Sequence, residues 1–560
     1  MKCRQTMIGH IQVSYSRVTR RLFFLNMKQR WLLILCLICL AGFNFRFFLM
    51  KNVEKYKPPS PKKQTPTMST HQTTTVSSQT INPKFIKFMR LIDWPGPTSP
   101  VTHYNFSTSP NKCNYELLSP WKIYRVGEKL EVIITARDHN GQQKQYGGDF
   151  FRAKLHSPAL KAGVTGHVKD YNNGSYLATL LLPWTGEARV QIRLIHSSEA
   201  VDVLKRMRES HPEKVYFYGY FELNGTSEIM ECNLEVSGKH VCTYKDPFTG
   251  NIWQCVRPQK LPCNSWVYHS MGGYHKITNQ LEDSLLSGSV TDKIIPGSVS
   301  LISVTTESSS LGLTSNLSLC RRGQHSPQPS GFYYADKWTS LSCLGRHFPQ
   351  PTDALTCLKG KDIYMVGDST LRQWFEYLER FIPSLKTIDL HVHYPTGPLL
   401  AVDADAGLVI RYRSHGLPLK TSKTLVSNLQ YEAAHLAGID GGPHTVVVMT
   451  LCPHFASFPV RFYLERLEKV QQAVASLLFR SPETTVIIKS ANTGHKKLYI
   501  SDWLTLQLDI LLRAAFKGMG VIILDVWDMT SCHYLPDDIH PGPPVIKNEV
   551  DLMLSHICPK

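Results

Sequence analysis

Residues 361–370 read Lys361-Asp-Ile-Tyr-Met-Val-Gly-Asp-Ser-Thr370, and this stretch decides the fold of the C-terminal half. Its apolar run predicts a buried strand, and the residues that follow have helical spacing. A strand that turns sharply into a helix is where α/β hydrolytic enzymes expose a nucleophilic hydroxyl, here Ser369. Gly367 suits the tight turn, and N–H groups at the helix start can hold a developing oxyanion. A glycine turn with an Asp or Ser N-cap is also common in structural loops, so a second signal is needed.

That second signal lies near the C-terminus, in Leu535-Pro-Asp-Asp-Ile-His-Pro-Gly542, just after an apolar strand. A serine hydroxyl is a poor nucleophile until a base takes its proton, and the base needs a carboxylate to fix its tautomer. The spacing predicts His540 as the base and Asp537 as the carboxylate, in preference to Asp538. The alternative is that Asp537 or Asp538 caps the last helix and His540 is a surface residue.

Four stretches carry a resemblance to a known family: residues 365–374, 450–459, 486–490 and 144–154. They resemble the PC-esterase branch of the SGNH/GDSL superfamily, and more closely the neurexophilin and PC-esterase domain (NXPE) family. The resemblance covers nearly everything from about residue 90 onward. It implies a neurexophilin-like module followed by an acyl-transfer or esterase domain.

The resemblance also implies an oxyanion hole made by the nucleophile's own N–H, a glycine N–H and an Asn side chain. Here the third strand ends in Thr450-Leu-Cys-Pro-His454, without the usual Gly-x-Asn, and His454 occupies the matching place. A structural histidine is an equal alternative there. Gly416 is the candidate glycine donor. Arg372 either faces the pocket and holds an acidic sugar or pairs with Glu376 at i+4.

Apolar strands and amphipathic helices alternate from residue 360 onward, which predicts a parallel sheet covered by helices on both sides, with active groups at the carboxyl ends of the strands. Residues 319–560 are therefore predicted to form an SGNH-like PC-esterase domain. The predicted strands are Ile363–Val366, Val409–Tyr412, Val446–Leu451, Val486–Ile488 and Val521–Val526.

Period-two alternation dominates residues 113–223 and, with the Asn140-Gly141 hairpin signal, predicts an antiparallel β-sandwich of immunoglobulin type. The neurexophilin-like resemblance implies the same. This predicted domain spans residues 91–265 and ends in a cysteine-rich stretch. Residues 266–318, rich in Ser and Thr, are expected to form a surface linker to the C-terminal domain.

The first ninety residues do not look globular. Residues 1–30 carry seven Lys or Arg and no Asp or Glu, and residues 31–50 are mainly apolar. By the positive-inside rule this predicts a cytoplasmic tail and a type II signal-anchor, with a cleavable signal peptide from Met27 as the alternative. Residues 51–90, rich in Pro, Ser, Thr and Gln, are expected to form an extended stem. Both alternatives send the chain into the secretory pathway, to the Golgi membrane or out of the cell.

Cysteine usage agrees with export. Beyond residue 50 the chain has eleven cysteines and no paired Cys-x-x-Cys spacing, so disulfides are favoured over a zinc site. An odd count leaves one thiol unpaired or joined to another chain. The disulfide candidates are Cys232, Cys242, Cys255, Cys263, Cys320, Cys343 and Cys357. Glycosylation sequons begin at Asn105, Asn173, Asn224 and Asn316.

The net charge of +18 is spread along the chain without a basic helix or an RNA-binding signature, so nucleic acid is not an expected partner. A basic face suits acidic carbohydrate, or is simply solvated. The resemblance implies O-acetyl transfer, or ester hydrolysis, on sialic acid or a related sugar, with acetyl-CoA as donor and no metal. The alternative is a catalytically inactive, neurexophilin-like glycoprotein that binds a cell-surface receptor.

Overall fold

The structure, a computed structural model, describes residues 83–120, 122–238, 240–298, 301–306 and 313–559. The predicted cytoplasmic tail, signal-anchor and residues 51–82 of the stem lie outside these residues. Within the described part of the chain, no helix is both long and apolar enough to cross a membrane.

Short strands with alternating burial dominate the chain as far as residue 305. Successive side chains of a strand point to opposite faces, so the apolar residues of each strand face the core of its own sheet. The strands are β1 (Asn114–Leu117), β2 (Tyr124–Arg125), β3 (Lys129–Thr135), β4 (Phe150–Ser157), β5 (Ala162–Asp170), β6 (Ser175–Leu181), β7 (Gly186–His196), β8 (Val215–Leu223), β9 (Thr226–Asn233), β10 (Val241–Lys245), β11 (Ile252–Val256), β12 (Trp266–Tyr274), β13 (Lys293–Ile294) and β14 (Leu301–Thr305).

Strands and helices alternate from residue 351 onward. The remaining strands are β15 (Gly331–Tyr334), β16 (Lys337–Ser340), β17 (Asp362–Gly367), β18 (Lys386–Ile388), β19 (Leu399–Asp403), β20 (Leu408–Ser414), β21 (Thr424–Leu425), β22 (Thr445–Met449), β23 (Thr485–Lys489), β24 (Lys496–Lys497), β25 (Ile500–Ser501) and β26 (Ile522–Leu524). The α-helices are α1 (Pro83–Leu91), α2 (Ser198–Ser210), α3 (Gln280–Leu285), α4 (Pro351–Leu358), α5 (Ser369–Phe381), α6 (Glu432–Ala437), α7 (Val460–Arg480), α8 (Asp502–Phe516), α9 (Trp527–Cys532) and α10 (Pro543–Ile557).

The N-terminal strands build one eleven-stranded sheet in the order β1-β3-β6-β5-β4-β7-β14-β2, with β13 on β7, β15 on β5 and β16 on β15. All of its pairs are antiparallel except that between β14 and β2. Buried side chains such as Val132, Leu155 and Ile192 form its core. The period-two pattern thus predicted the strands, while β14, β15 and β16 join the sheet from beyond the predicted domain boundary at residue 265.

A second sheet, in the order β10-β11-β9-β8-β12-β21, joins the cysteine-rich stretch to the C-terminal half. Tyr268 of β12 pairs with Leu425 of β21, about 150 residues later in the chain. The prediction of a surface linker over residues 266–318 is therefore wrong in four places: residues 266–274 form β12, residues 280–285 form α3, and residues 293–294 and 301–305 form β13 and β14 of the first sheet. The Ser- and Thr-rich composition suggested a linker. In the structure, β12 instead packs between β8 and β21 in the second sheet.

The third sheet has seven strands in the order β18-β19-β20-β17-β22-β23-β26. The strands from β20 to β26 pair in parallel, whereas β18 and β19 form an antiparallel edge. Helices α6, α7 and α8 pack on one face, and α4, α5 and α10 on the other. A parallel sheet covered on both sides is what the alternating pattern predicts. The chain is thus multidomain, with mixed sheets and helices.

Helix α1 corrects the predicted stem at its C-terminal end. Residues 83–90 were expected to be extended, but Pro83–Leu91 is helical, and Phe85 and Phe88 pack against the core that holds α7 and α8. These two aromatic residues distinguish the segment from the Pro- and Thr-rich residues before it.

The described residues contain four disulfides: Cys232–Cys255, Cys242–Cys263, Cys320–Cys343 and Cys357–Cys558. All seven predicted disulfide cysteines are paired, and the partner of Cys357 was not foreseen. Three cysteines, Cys113, Cys452 and Cys532, are buried free thiols, where the odd count required at least one. The four sequon asparagines are exposed, which leaves their predicted glycosylation sterically open.

These pairings make a direct prediction for peptide mapping. Under non-reducing conditions we expect the four cross-linked peptide pairs, and we expect Cys113, Cys452 and Cys532 to react with an alkylating reagent only after unfolding, because all three are buried. Liquid chromatography with mass spectrometry of the purified protein measures both. Cross-links between any other pair of these cysteines would contradict the fold around β9, β11 and α10.

Candidate active site

The candidate nucleophile lies at the turn from β17 to α5, at the carboxyl edge of the seven-stranded sheet. β17 is a central strand with parallel neighbours on both sides, and Ser369 is the first residue of α5. Asp368 already accepts the N–H groups of residues 370–372, so in this turn the N–H of Ser369 itself is the one left for a negatively charged oxygen among the described hydrogen bonds. The sequence therefore placed Ser369 correctly at a strand-to-helix turn.

Two residues shape this turn. A Cβ on Gly367 would lie 2.7 Å from Thr450 Cγ2 and 3.0 Å from the Thr450 carbonyl oxygen, so only glycine fits beside the end of β22. Asp368 is the N-cap of α5, and its carboxylate accepts hydrogen bonds from the Thr370 N–H (2.8 Å) and hydroxyl (2.7 Å). Asp368 thus supports the turn.

Ser369 and His540 meet, although they lie 171 residues apart. The distance between Ser369 Oγ and His540 Nε2 is 2.7 Å, which is a hydrogen bond suited to proton transfer from the hydroxyl to the imidazole. His540 also donates its backbone N–H to Asp538 Oδ1 at 2.9 Å. The loop between α9 and α10 therefore brings the predicted base to the predicted nucleophile.

Asp537 does not take the predicted position on the His540 ring. Its carboxylate accepts a hydrogen bond from Arg152 Nη1 at 2.9 Å and lies 3.9 Å from Lys496 Nζ. The expected hydrogen bond from His540 Nδ1 to Asp537 is absent from the described residues, so the predicted contact is wrong. The physical reason is competition, since the cations Arg152 and Lys496 hold this carboxylate away from the His540 ring.

Arg152 comes from β4 of the eleven-stranded sheet and reaches into the C-terminal domain. Its Nη1 donates to Asp502 Oδ2 at 2.6 Å as well as to Asp537, and both carboxylates are largely buried. Nearby, Lys154 Nζ donates to the His533 carbonyl at 3.0 Å. The N-terminal sheet therefore fixes the segment that leads to His540.

Burial and the charges around Arg152 shift the pKa values of its two carboxylate partners. Burial raises the pKa of Asp537, but the charges of Arg152 and Lys496 outweigh burial and lower this pKa to about 2. Burial raises the pKa of Asp502 to about 6 despite Arg152. Asp502 also accepts the N–H groups of Gly494 and His495, so Arg152 ties together two loops near the site.

A second buried cation, Lys489, connects the two halves of the site through hydrogen bonds. Lys489 Nζ, at the end of β23, donates to Asn492 Oδ1 at 2.5 Å and to Thr370 Oγ1 at 3.2 Å. Asn492 Nδ2 in turn donates to the carbonyl of Ile539 at 2.9 Å. This chain of hydrogen bonds connects the first turn of α5 to the residue just before His540. It fixes the two halves of the Ser369–His540 pair relative to each other.

His454 is held by a second histidine. His415 Nδ1 lies 2.6 Å from the Gly416 carbonyl oxygen, which can only accept, so Nδ1 carries the proton. Burial lowers the pKa of His415, and its neutral ring accepts at Nε2 from His454 Nδ1 at 2.9 Å. Burial lowers the pKa of His454 well below its usual value. Neutral His454 therefore has no proton on Nε2.

This tautomer contradicts the predicted role of His454 as an oxyanion donor, since an unprotonated Nε2 can only accept a hydrogen bond. Gly416 follows β20 beside the nucleophile turn and packs so closely on Tyr431 that a Cβ would lie 2.7 Å from the Tyr431 ring. Arg372 donates to Glu376 at 2.9 Å and to the Pro395 carbonyl at 2.8 Å. Of the two roles predicted for Arg372, the structure shows the ion pair with Glu376 within α5.

Sequence reasoning missed Arg152, Lys489, Asn492 and His415. Lys489 lies in the stretch 486–490 quoted for the family resemblance, and His415 is the neighbour of Gly416; both lie at a strand end, and that position was the available signal. Asn492 follows β23 by three residues and carried the same signal. Arg152 had none, because its partners are 350 and 385 residues away in the chain.

Two sequence models of known families match this chain. The model described as the NXPE family member 4-like C-terminal domain matches residues 338–558, and the model described as Neurexophilin matches residues 94–287. The chain belongs to the NXPE family. This confirms the family predicted from the sequence. NXPE domains point to an acyltransferase- or esterase-like function or to a neurexophilin-like one, and their disulfides are consistent with the secretory pathway.

A solved structure also aligns with this NXPE family chain. Its title describes FdeC as a broadly conserved Escherichia coli adhesin, and the alignment has 14% identity and a TM-score of 0.13. It covers 35% of this chain, which in turn spans 65% of that chain's length. A TM-score of this size carries no conclusion about fold.

Proposed function

We propose that this protein is a serine-dependent acyltransferase that acts on glycans in the secretory pathway, with Ser369 as nucleophile and His540 as base. The observation that carries the proposal is the 2.7 Å contact between Ser369 Oγ and His540 Nε2 at the carboxyl edge of a parallel sheet. Family membership supports the choice of an acyl-transfer reaction.

The reaction has two steps. Ser369 Oγ attacks the carbonyl carbon of an acetyl thioester, for which acetyl-CoA is the expected donor, and His540 Nε2 takes the hydroxyl proton. The thiolate leaves with that proton, and Ser369 is left acetylated. A sugar hydroxyl then attacks the ester, gives its proton to His540 and frees Ser369, which recovers a proton. Water as the acceptor gives an esterase with the same residues.

The acceptor is proposed to be sialic acid or a related sugar, and the setting a Golgi membrane or the cell exterior. The finer architecture is proposed with it: an SGNH-type C-terminal domain and an immunoglobulin-type sandwich before it. Alternating burial in the antiparallel strands around one core supports the sandwich. The turn at Ser369, followed by His540 near the C-terminus, supports the SGNH type.

Mass spectrometry tests the covalent step. Cells that express the wild-type chain should gain O-acetyl groups on sialylated glycans relative to cells that lack it, and a Ser369→Ala chain should not produce them. Brief incubation of purified protein with acetyl-CoA labelled in the acetyl group should place the label on the Ser369 peptide. Glycan acetylation without any label on that peptide would exclude the covalent serine mechanism.

One further variant tests the tautomer at His454. Removing an oxyanion donor lowers turnover by about 10²–10³-fold. Because His454 Nε2 carries no proton, we expect His454→Ala to lower kcat by less than about tenfold. Steady-state rates of acetyl transfer measure this, with His435→Ala, a histidine of α6 outside the site, as control. A loss of 10²-fold or more in kcat would show that His454 does donate.

A binding function is the second candidate, and the position of Asp537 favours it. Without a carboxylate on Nδ1, His540 is a weaker base than in a complete triad. In that case the protein would be a neurexophilin-like ligand of a cell-surface receptor. Absence of acetylation on every sialylated and neutral glycan, together with saturable binding of the purified protein to cells, would favour this candidate.

A further inference from the structure

A cavity of about 580 Å³ lies between the disulfide-linked six-stranded sheet and the segment that follows β20. We call it the aromatic cavity. Its lining includes Tyr244, Trp253, Trp266, Arg413, Gln430 and Tyr431. None of the residues assigned to the reaction above lines it. The cavity is therefore separate from the Ser369 site.

Fixed aromatic rings form one wall. Tyr244 and Trp266 have ring centroids 4.5 Å apart, and each is held by a hydrogen bond to a backbone carbonyl, of Cys263 (2.7 Å) and Tyr268 (2.8 Å) respectively. Trp253 is 1% exposed, and its indole Nε1 is buried without an acceptor in the described chain. Trp253 therefore backs this wall from the buried core, where it packs against Phe217.

Arg413 brings a positive charge to a cavity that Lys245 and Asp246 also line, and none of the described carboxylates forms an ion pair with Arg413. Its Nη1 donates to Gln430 Oε1 at 3.0 Å, and no carboxylate lies within 4 Å of its guanidinium among the described residues. Two residues earlier on the same strand, Arg411 does pair with a carboxylate, that of Asp362. Burial lowers the pKa of Arg413, which reflects the cost of holding this charge without a counterion. A negatively charged group in the cavity would relieve that cost.

We propose that the aromatic cavity binds an acidic saccharide unit, with sugar faces against the Trp266 and Tyr244 rings and a carboxylate or sulfate group on Arg413. Ring faces suit the C–H surface of a sugar, and the planar fork of arginine suits a carboxylate or sulfate. Gln430, which also lines the cavity, supplies hydrogen bonds to hydroxyl groups.

The position of the cavity relates this site to the reaction. Arg413 and Leu417 line the cavity, while His415 between them holds His454 at the Ser369 site. One short segment thus borders both sites. That the bound sugar belongs to the acceptor glycan rests on the proposed function, whereas binding in the cavity does not. The cavity is then a subsite for a neighbouring unit of the glycan.

Equilibrium binding to the full chain carrying Ser369→Ala, which cannot turn over, tests the proposal. The probes are 3′-sialyllactose, 3′-sulfated lactose and lactose, measured by isothermal titration calorimetry. We expect both acidic probes to bind at least tenfold more tightly than lactose. We expect Arg413→Gln to weaken the acidic probes by about 10–100-fold and to leave lactose unchanged, since a charged hydrogen bond is lost.

Matched variants separate the parts of the site. Trp266→Ala should weaken all three probes by about tenfold through the lost ring face. Arg411→Gln, on the same strand but outside the cavity, should change none of them. Thermal unfolding of each variant establishes that it is folded, and Arg413→Lys should recover part of the acidic binding if Arg413→Gln is unstable. Binding of only one acidic probe still supports the proposal and identifies its anion.

Three results would overturn it: equal affinity for lactose and the acidic probes, no effect of Arg413→Gln in a folded chain, or an equal effect of Arg411→Gln. These results are independent of catalysis. Acidic binding without any glycan acetylation by the wild-type chain would remove the proposed function and leave the cavity standing. Glycan acetylation without binding of any acidic probe would remove the cavity proposal and leave the proposed function standing.

Discussion

Replacing Ser369 by alanine is expected to lower acetyl transfer by about 10⁴-fold or more, because the attacking oxygen is removed while the rest of the site remains. His540→Ala should cost about as much, since its Nε2 lies 2.7 Å from that oxygen and takes its proton. The two residues act as one unit. The double variant should therefore be no less active than either single variant. Purified chains and labelled acetyl-CoA give the rates.

Suitable controls separate chemistry from folding. Ser476→Ala changes an exposed serine on α7 and should keep full activity. Asp538→Asn keeps the site and should lose much less than Asp537→Asn, because Asp537 is the carboxylate held by Arg152. The amount of folded protein should be unchanged in the Ser369, His540, Ser476 and Asp538 variants. Undiminished acetylation by Ser369→Ala would rule out the serine mechanism.

Arg152→Ala is expected to destabilise the folded chain by about 3–5 kcal/mol, because it leaves two buried carboxylates without their cation. Asp502 is fully buried and Asp537 is 8% exposed, so water cannot replace the guanidinium well. We also expect acetyl transfer to fall sharply in chains that remain folded, since the loop to His540 loses its anchor. Urea unfolding at pH 7 and acetyl-transfer rates measure the two effects.

Arg189→Ala provides the matched control, because Arg189 lies on β7 of the same sheet but is exposed. It should change neither stability nor rate by a measurable amount. Arg152→Lys keeps one charge but loses the planar fork, and should fall between wild type and Arg152→Ala. Wild-type stability and rate in Arg152→Ala would show that these ion pairs do not hold the loop.

Local patterns predicted the part of the site that depends on neighbours in sequence. The apolar run before Gly367 and the helical spacing after Ser369 placed the nucleophile at a strand-to-helix turn, as found. His540 follows the last strand of the sheet, and the carboxyl ends of parallel strands share one edge. The meeting of Ser369 and His540 was therefore accessible from the sequence.

Long-range contacts account for the failures. Spacing on a short loop suggested Asp537 for the His540 ring, but a cation 385 residues earlier in the chain takes that carboxylate. The partner of Cys357 lies 201 residues away, and cysteine counts do not give connectivity. The protonation of His454 depends on a contact with His415 that only the folded chain reveals.

The pairing of β12 with β21 has a consequence for the growing chain. A ribosome adds about 5–20 residues per second, so the stretch of about 150 residues between these strands takes roughly 10–30 s to make. Until then β12 leaves an open strand edge that can pair with another newly made chain. The cysteine-rich sheet is thus complete only after much of the C-terminal domain has been translated, and chaperones that cover strand edges would protect it in the interval.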